Sequence, residues 1–521
     1  MIGLIEATYG DQSIGVSRDC SIGSISEHKE GRALDWMLDV RDARERETAK
    51  VFLDWLTGSD QQGHGQAMVR RMGVMYIVWN NRMWRAYDPA RGWDEYRDCL
   101  SHPESSYNTT CHRDHIHISM TWDGGTARTS YYSGRVMPGL CRASTYGAPP
   151  RLPTSGTTFV PLQPKRLLHT RKGRGLDGPC RLGVSGTTAR VDVPVLGRAG
   201  VPDSGVSAVV IGLSAGRTSA PTAVTVYPTG GTRPSTPSVI ARPGDGRDAV
   251  TVVPLGVDGK ISVANRTGGS DVRMDILGYY RSPGVAGTRF TASKQRRIMA
   301  TRLDPGETRR LRVGGRAGIP GRGVRAAMLS VTAGGSERSG KVAVWRAGTD
   351  APNLPQLRYG AGEIRTNRVV VATSDRGRIK LKNRSRGSVR LRVDTVGFHS
   401  ASGAGYVPLR NARVLDTRSG LGVSRAFGPR EMASMPMAGR AGIPADAAGV
   451  VMQLTAASTA HTKITTWAAG NRRPWAGAMF PRAEASESNV VVVALGQDGR
   501  VSLFNKRGST HLVGDVLGYY R

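Results

Sequence analysis

Two short runs of this sequence hold residues that can do chemistry together. The first is Ser26-Glu27-His28-Lys29-Glu30-Gly31-Arg32-Ala33-Leu34-Asp35-Trp36, the second His112-Arg113-Asp114-His115-Ile116-His117-Ile118-Ser119. Catalytic zinc takes about three His or carboxylate ligands and keeps one position open for water. His28 and Asp35 can meet at one ion if the Gly31 segment turns between them. On a strand, His115 and His117 face the same side, because the side-chain period is two. The ion then needs one ligand from that strand, and the neighbouring polar group can act on water acidified by the metal. Each run has a plainer reading on its own: an H-x-H pair is often just the polar face of a strand, and H-x6-D is a weaker signal still. Together in one small domain, beside Ser, Gly and carboxylate groups, they point to a metal site. His64, in Gly63-His64-Gly65, reads as a loop residue, and His102 and His112 as surface or supporting groups.

The elements that must position these residues mix both periods. Residues 40–56 predict an amphipathic helix ending near Gly58. Residues 73–79 predict a buried strand, followed by an Asn80-Asn81 turn and a second strand at 83–87. Residues 115–122 alternate as a strand. The expectation is an α+β domain over residues 1–140 and a linker over 141–157, where Pro, Gly, Ser and Thr accumulate.

Beyond the linker the chain repeats itself. G-R-A-G-[VI]-P occurs at Gly197–Pro202, Gly315–Pro320 and Gly439–Pro444, and D-x-x-G at Asp275–Gly278, Asp394–Gly397 and Asp515–Gly518. Each unit opens with a Thr-Arg, at Thr170-Arg171, Thr301-Arg302 and Thr417-Arg418. Hairpin turns are expected at Asp258-Gly259, Arg376-Gly377 and Asp498-Gly499. A period of roughly 120 residues is too long for a solenoid, and turns between alternating strands predict a sandwich or barrel. Three separate all-β repeat domains follow, at 158–281, 288–399 and 405–521. Nothing in them reads as catalytic, and the recurrent Thr-Arg and Gly-Arg pairs suit turns and packing as well as ligand contacts.

The bulk numbers fit several domains, since 521 residues exceed one core. The net charge of +32 is uneven: residues 1–150 carry 17 Lys and Arg against 19 Asp and Glu, a net of −2, which leaves +34 for the rest. Such a basic surface implies a polyanionic partner, although an Arg-rich genome would also raise it. Aromatic residues are only 6%, so an interleaved stacking platform for nucleic acid is missing. Of the five cysteines, Cys99 and Cys111 flank a polar loop that suits a disulfide. Cys141 and Cys180 flank the linker, and Cys20 is left over, a pattern favouring an oxidising compartment. No stretch is apolar enough to cross a membrane. Met1–Glu6 is not a signal peptide, so export needs another route or a start further upstream.

The pattern S-x-H-x-x-G-x-A-x-D with a late x-H-x-H resembles the zinc D-Ala-D-Ala peptidases and their relatives with the hedgehog/DD-peptidase fold. The strings S-E-H-K-E-G-R-A-L-D-W, G-V-M-Y-I-V-W-N-N-R-M-W and R-D-H-I-H-I-S are similar to a secreted actinobacterial branch of that group. The resemblance covers about residues 1–133. It implies that His28, Asp35 and His117 bind Zn2+. The peptidases carry a Glu base three positions before the last ligand, where this chain has Asp114; lysostaphin-like relatives use the first His of H-x-H, here His115. The resemblance therefore leaves the base as Asp114 or His115. It also implies a start further upstream, with a partner there for Cys20. The repeats resemble tandem modules ending in D-x-x-G-[YWF]-[YF] on secreted actinobacterial proteins. The function expected is a zinc-dependent peptidoglycan peptide hydrolase held to an anionic cell-wall polymer by three basic β-modules. The alternative is a non-catalytic surface adhesion or assembly protein with a zinc-binding but inactive domain.

Overall fold

The structure, a computed structural model, describes all 521 residues except 23–25, 61–62, 134–138, 142, 177–179, 184–188, 219 and 497, and only the backbone of 133, 139 and 140. It divides into two compact units, residues 1–137 and 138–521.

The first unit runs α1 (Ile2–Tyr9), β1 (Ile14–Gly15), β2 (Ala33–Trp36), α2 (Ala43–Thr57), α3 (Ala67–Met72), β3 (Val74–Trp79), β4 (Arg82–Arg85), β5 (Asp94–Glu95) and β6 (Ile116–Met120). The strands form one sheet in the order β1-β2-β6-β3-β4-β5, every pair antiparallel. α2 begins where the Asp42 carboxylate accepts from the backbone N–H groups of Arg44 and Glu45, and it ends at Gly58. Its buried residues Ala49, Phe52, Leu53 and Leu56 recur at helical spacing. They pack on Trp36, Ile77, Ile116 and Ile118 from the sheet. Burying each large side chain contributes roughly 1.5–3 kcal/mol. β3 and β4 meet through Asn80 and Asn81, both at positive φ, 49° and 66°. This is the left-handed backbone of a tight hairpin, which Asn tolerates. α1 and α3 were not expected from the sequence.

Among the described residues, the second unit contains three pairs of antiparallel sheets, one pair per repeat, and a short parallel pairing of 139–140 with 180–181. The repeated motifs have structural jobs. In G-R-A-G-[VI]-P both glycines and the intervening alanine (Ala199, Ala317, Ala441) have positive φ in all three copies, so the motif encodes a turn. In D-x-x-G, a Cβ on Gly278 would lie 2.4 Å from Phe159 and one on Gly397 2.3 Å from Phe290. On Gly518 it would lie 2.5 Å from the Tyr406 hydroxyl. Each glycine makes room for the aromatic ring of the repeat's first strand. Each aspartate binds an arginine from the start of its own repeat: Asp275 with Arg166, Asp394 with Arg297 at 3.2 Å, and Asp515 with Arg413.

The repeats do not stand apart as separate domains. Besides one core each, they share a fourth, built from Phe159, Tyr280, Phe290, Tyr406, Tyr520 and apolar residues of all three. The cause lies in the strand Val206–Gly216 and its counterparts. Val209, Ile211 and Leu213 fill the repeat's own core, while Ala208 and Val210 fill the shared one. A strand buried on both faces must be covered twice. The contacts close a cycle. Gln163 in the first repeat donates to Thr349 in the second at 2.6 Å. Gln295 in the second donates to the Thr466 carbonyl in the third at 3.4 Å, and Arg413 in the third donates to Thr236 in the first at 3.2 Å. Ion pairs join the repeats as well, the first two of them buried: Arg247–Glu363 at 3.2 Å, Arg365–Glu487 at 3.2 Å and Arg482–Glu363 at 3.1 Å.

Candidate metal centre

The sheet of the first unit assembles the site from strand register. Asp35 on β2 and His117 on β6 are direct cross-strand partners, which places their Cβ atoms about 4.5–5.5 Å apart on one face. Ile116 and Ile118 alternate onto the other face and fill the core. His28 arrives by a tight turn before β2: the Gly31 N–H donates to the His28 carbonyl at 3.2 Å and Arg32 N–H to the Glu27 carbonyl at 3.0 Å. Gly31 has φ 69°, the left-handed backbone that glycine adopts without strain.

The three side chains converge. His28 Nε2 lies 3.1 Å from Asp35 Oδ2 and 3.2 Å from His117 Nδ1, and His117 Nδ1 lies 2.7 Å from Asp35 Oδ1. All three ligand atoms fall within 4.8 Å of one another. Zinc with ligands at about 2.0–2.2 Å sets tetrahedral edges of about 3.3–3.6 Å, so an ion needs these ligand atoms to spread by a few tenths of an ångström or more. His28 and His117 are 8% and 9% exposed. Ser119 Oγ lies 2.9 Å from His117 Nε2. Were an ion bound, an Nε2–H donated to that oxygen would leave the Nδ1 lone pair for the metal, the way an outer hydrogen bond fixes a ligand's tautomer. Burial pushes the Asp35 carboxyl up, but hydrogen bonds from His117 and His28 outweigh it and hold the group well below the usual carboxylate range. Two imidazoles and an ionised carboxylate are a donor set suited to zinc.

His115 and Asp114 lie beside this triad, in different places. His115 Nε2 is 3.7 Å from Asp35 Oδ1, while His115 Nδ1 is 2.7 Å from Asp114 Oδ1. Asp114 Oδ2 accepts from the Thr109 hydroxyl at 2.6 Å. Burial pushes the Asp114 carboxyl up, but the bonds from Thr109 and His115 overcome it and hold it low. Asp114 therefore sits behind His115, on the ring nitrogen turned from the triad. The connection that presents both is pinned by the Cys99–Cys111 disulfide and by Arg113. The Arg113 guanidinium donates to Asn81 Oδ1 at 2.8 Å and to the carbonyls of Glu104 at 3.1 Å and Cys99 at 3.2 Å.

Two further side chains neighbour the site: Tyr76, which sequence reasoning missed, and His112, which it read as a surface or supporting group. Tyr76 on β3 stacks on His117 with ring centroids 5.6 Å apart, its phenol pushed up to about 12 chiefly by burial. His112 lies 4.6 Å from the His115 ring and 5.6 Å from His117. It is pushed down to about 3 by burial and then by the two histidines, and so stays neutral. Tyr76 opposes Ser119 across β3 and β6, a pairing that the continuous apolar run of β3 does not announce. His64 and His102 lie elsewhere, bound to Asp60 at 3.0 Å and Asp98 at 3.2 Å.

Residues 3–107 match the family described as VldE, C-terminal domain. The matched segment holds His28 and Asp35 and ends before His115 and His117. No curated protein matches. Solved structures resemble the chain faintly. One is from Sulfolobus turreted icosahedral virus, at 7% identity over 73% of this chain and 98% of that one, TM-score 0.16. Another is the triple jelly roll of an archaeal virus turret, at 8% identity over 74% and 97%, TM-score 0.14. A third is the tandem CBM22 domain of Xyn10C from Paenibacillus barcinonensis, at 9% identity over 44% and 99%, TM-score 0.14. At these scores the likenesses carry no functional inference.

Proposed function

We propose that the first unit is a zinc-dependent hydrolase of peptidoglycan peptides, with the hedgehog/DD-peptidase fold that its motifs resemble, held at the cell surface by the three basic β-repeats. One observation carries the reading: His28, Asp35 and His117 meet on one face of the sheet with the His115–Asp114 pair alongside. His28, Asp35 and His117 would hold the ion. Zinc, when bound, supplies Lewis acidity, polarising a carbonyl and acidifying water. His115 takes the proton at Nε2 and returns it to the leaving amine. Asp114 accepts from the Nδ1–H, which fixes the tautomer and steadies the imidazolium that forms, the part played by the acid behind a catalytic histidine. Asp114 is thus a positioning residue and His115 the base. Ser119 orients His117, and Tyr76 walls the site beside it.

The two disulfides, Cys99–Cys111 and Cys141–Cys180, fit a life outside the cytoplasm. Among the described residues no helix is long and apolar enough to cross a membrane. Digestion of purified peptidoglycan with and without a chelator, read by mass spectrometry of the released peptides, tests the proposal. Chelator-sensitive release of peptides cut at one bond is the expected result. Zinc retained by a protein that releases nothing points instead to a surface adhesion module.

A further inference from the structure

The shared assembly of the repeats opens two adjoining clefts between the second and third, of about 1020 and 550 Å³, and both are lined by Trp475. We propose that these clefts form a binding site for an acidic polysaccharide, with a sugar ring on Trp475 and the acidic groups on the surrounding Lys and Arg side chains. This deepens the anchoring half of the proposed function and is independent of hydrolysis.

Charge is the first support. The larger cleft is lined by six Lys and Arg residues and two carboxylates, Asp394 and Glu363. Both carboxylates are already occupied, Asp394 by Arg297 at 3.2 Å and Glu363 by Arg482 at 3.1 Å. Arg392, Lys463, Lys506 and Arg507 remain, with no carboxylate within ion-pair distance among the described residues. The smaller cleft adds Lys294, Arg296, Arg472 and Arg473 and no acid. The Lys463 ammonium is pushed down, first by burial and then by Lys506, Arg473 and Arg297. Like charges crowded in a concave, partly desolvated wall concentrate a field that an anion relieves.

Trp475 is the second. It is 82% exposed, the most exposed large apolar residue among those described. It is nonetheless held in place: Lys463 Nζ donates to its backbone carbonyl at 3.2 Å and lies 6.0 Å from its ring centroid. An indole face kept open to water at the junction of two basic clefts offers a flat apolar surface to the C–H groups of a sugar ring. Single-stranded nucleic acid, the other polyanion, is held by a succession of aromatic platforms, and here one exposed ring serves both clefts. The feature belongs to the third repeat alone: at the corresponding turns the first repeat reads R-P-S and the second A-P-N, against R-P-W.

The test is binding of the full chain, in chelator, to a poly(hexose 1-phosphate) and to polygalacturonate oligomers at low salt, with a neutral glucan and a single-stranded oligodeoxynucleotide of equal charge beside them. Trp475→Ala and the pair Lys506→Glu/Arg507→Glu should each weaken binding about tenfold or more, as expected for an anchor and its charged partners. Arg171→Glu/Lys172→Glu, an equal reversal on the exposed surface of the first repeat, should leave it nearly unchanged. Whichever of the two acidic polymers binds more tightly tells whether phosphate or carboxylate is the natural group. The inference is overturned if neither polymer binds or if Trp475→Ala has no effect. It also fails if the surface reversal weakens binding as much as the cleft reversal, or if the oligonucleotide binds as tightly as the acidic glycans. No peptidoglycan cleavage by the zinc-loaded chain, with glycan binding intact, would sink the hydrolase reading and leave this one standing.

Discussion

Asp35 and His117 face each other across two strands, so the geometry of the proposed metal site rests on backbone register, and side-chain changes can probe it without disturbing the fold. Asp35→Asn keeps the shape and removes the charge. It should lower zinc content from about one ion per chain to well below it, measured by elemental analysis, with thermal stability nearly kept. His115→Ala should retain zinc and cost on the order of 10²–10⁴ in rate. Asp114→Asn should also retain zinc but lose less, because the imidazole it positions is still present; a wall-peptide release assay separates the two. Equal loss from both variants would place Asp114 in the chemistry itself. The meeting of His28 and Asp35 with one histidine of the His115–His117 strand was legible from residue types and spacing, while the choice of His117 came from the family resemblance. The order of His115 and Asp114 was not, because which ring nitrogen meets which carboxylate depends on side-chain rotation that no spacing records. Tyr76 was invisible for a related reason: a tyrosine in an apolar strand looks like core until the neighbouring strand is known.

Among the elements, long periodic segments declared themselves. α2 was expected over 40–56 and spans 43–57; β3 and β6 fall inside the runs expected to form them. α1 and α3 are short, and α1 is almost uniformly apolar, so neither shows a clear stripe. The D-x-x-G motif was plain as a repeat and opaque as physics until the ring beneath each glycine was seen. Replacing Gly397 with Ala drives a Cβ to within 2.3 Å of Phe290, and the overpacking should cost on the order of 1–3 kcal/mol. Gly321→Ala, where nothing lies within 4 Å and φ is not positive, should cost little. Urea melts of the two variants check the difference.

Across the whole molecule, the repeats meet on aromatic side chains that one residue interrupts. Tyr280 and Tyr520 are hydroxyl-to-hydroxyl at 3.0 Å, and in the second repeat the corresponding position is His399. Its ring lies 4.4 Å from Phe159 and 5.4 Å from Phe290, and neither nitrogen has a hydrogen-bond partner among the described residues. Burial pushes it down to about 3. Because the folded value lies below the unfolded one, near 6.5, the unfolded chain binds the extra proton. Stability is therefore lost as pH falls from about 6.5 toward 3, on the order of 1 kcal/mol per pH unit. His399→Phe should raise the melting temperature at pH 7 and flatten its decline toward pH 5; an unchanged pH slope would contradict the assignment. The sequence announced three all-β repeats but not their union. The runs A-V-V-I, A-A-M-L and G-V-V-M, apolar without alternation, were the available sign that these strands have no solvent face.

A closed cycle of three similar, unequal copies behaves like a homotrimer whose subunits have been joined end to end. In a true homotrimer every interface must be the same, because one sequence builds them all. Fusion releases that constraint: each junction can drift by itself while the ring stays shut. The tryptophan at one of the three junctions, and the lone histidine among the tyrosines, are what such freedom leaves behind, an asymmetric surface carried on a nearly symmetric frame.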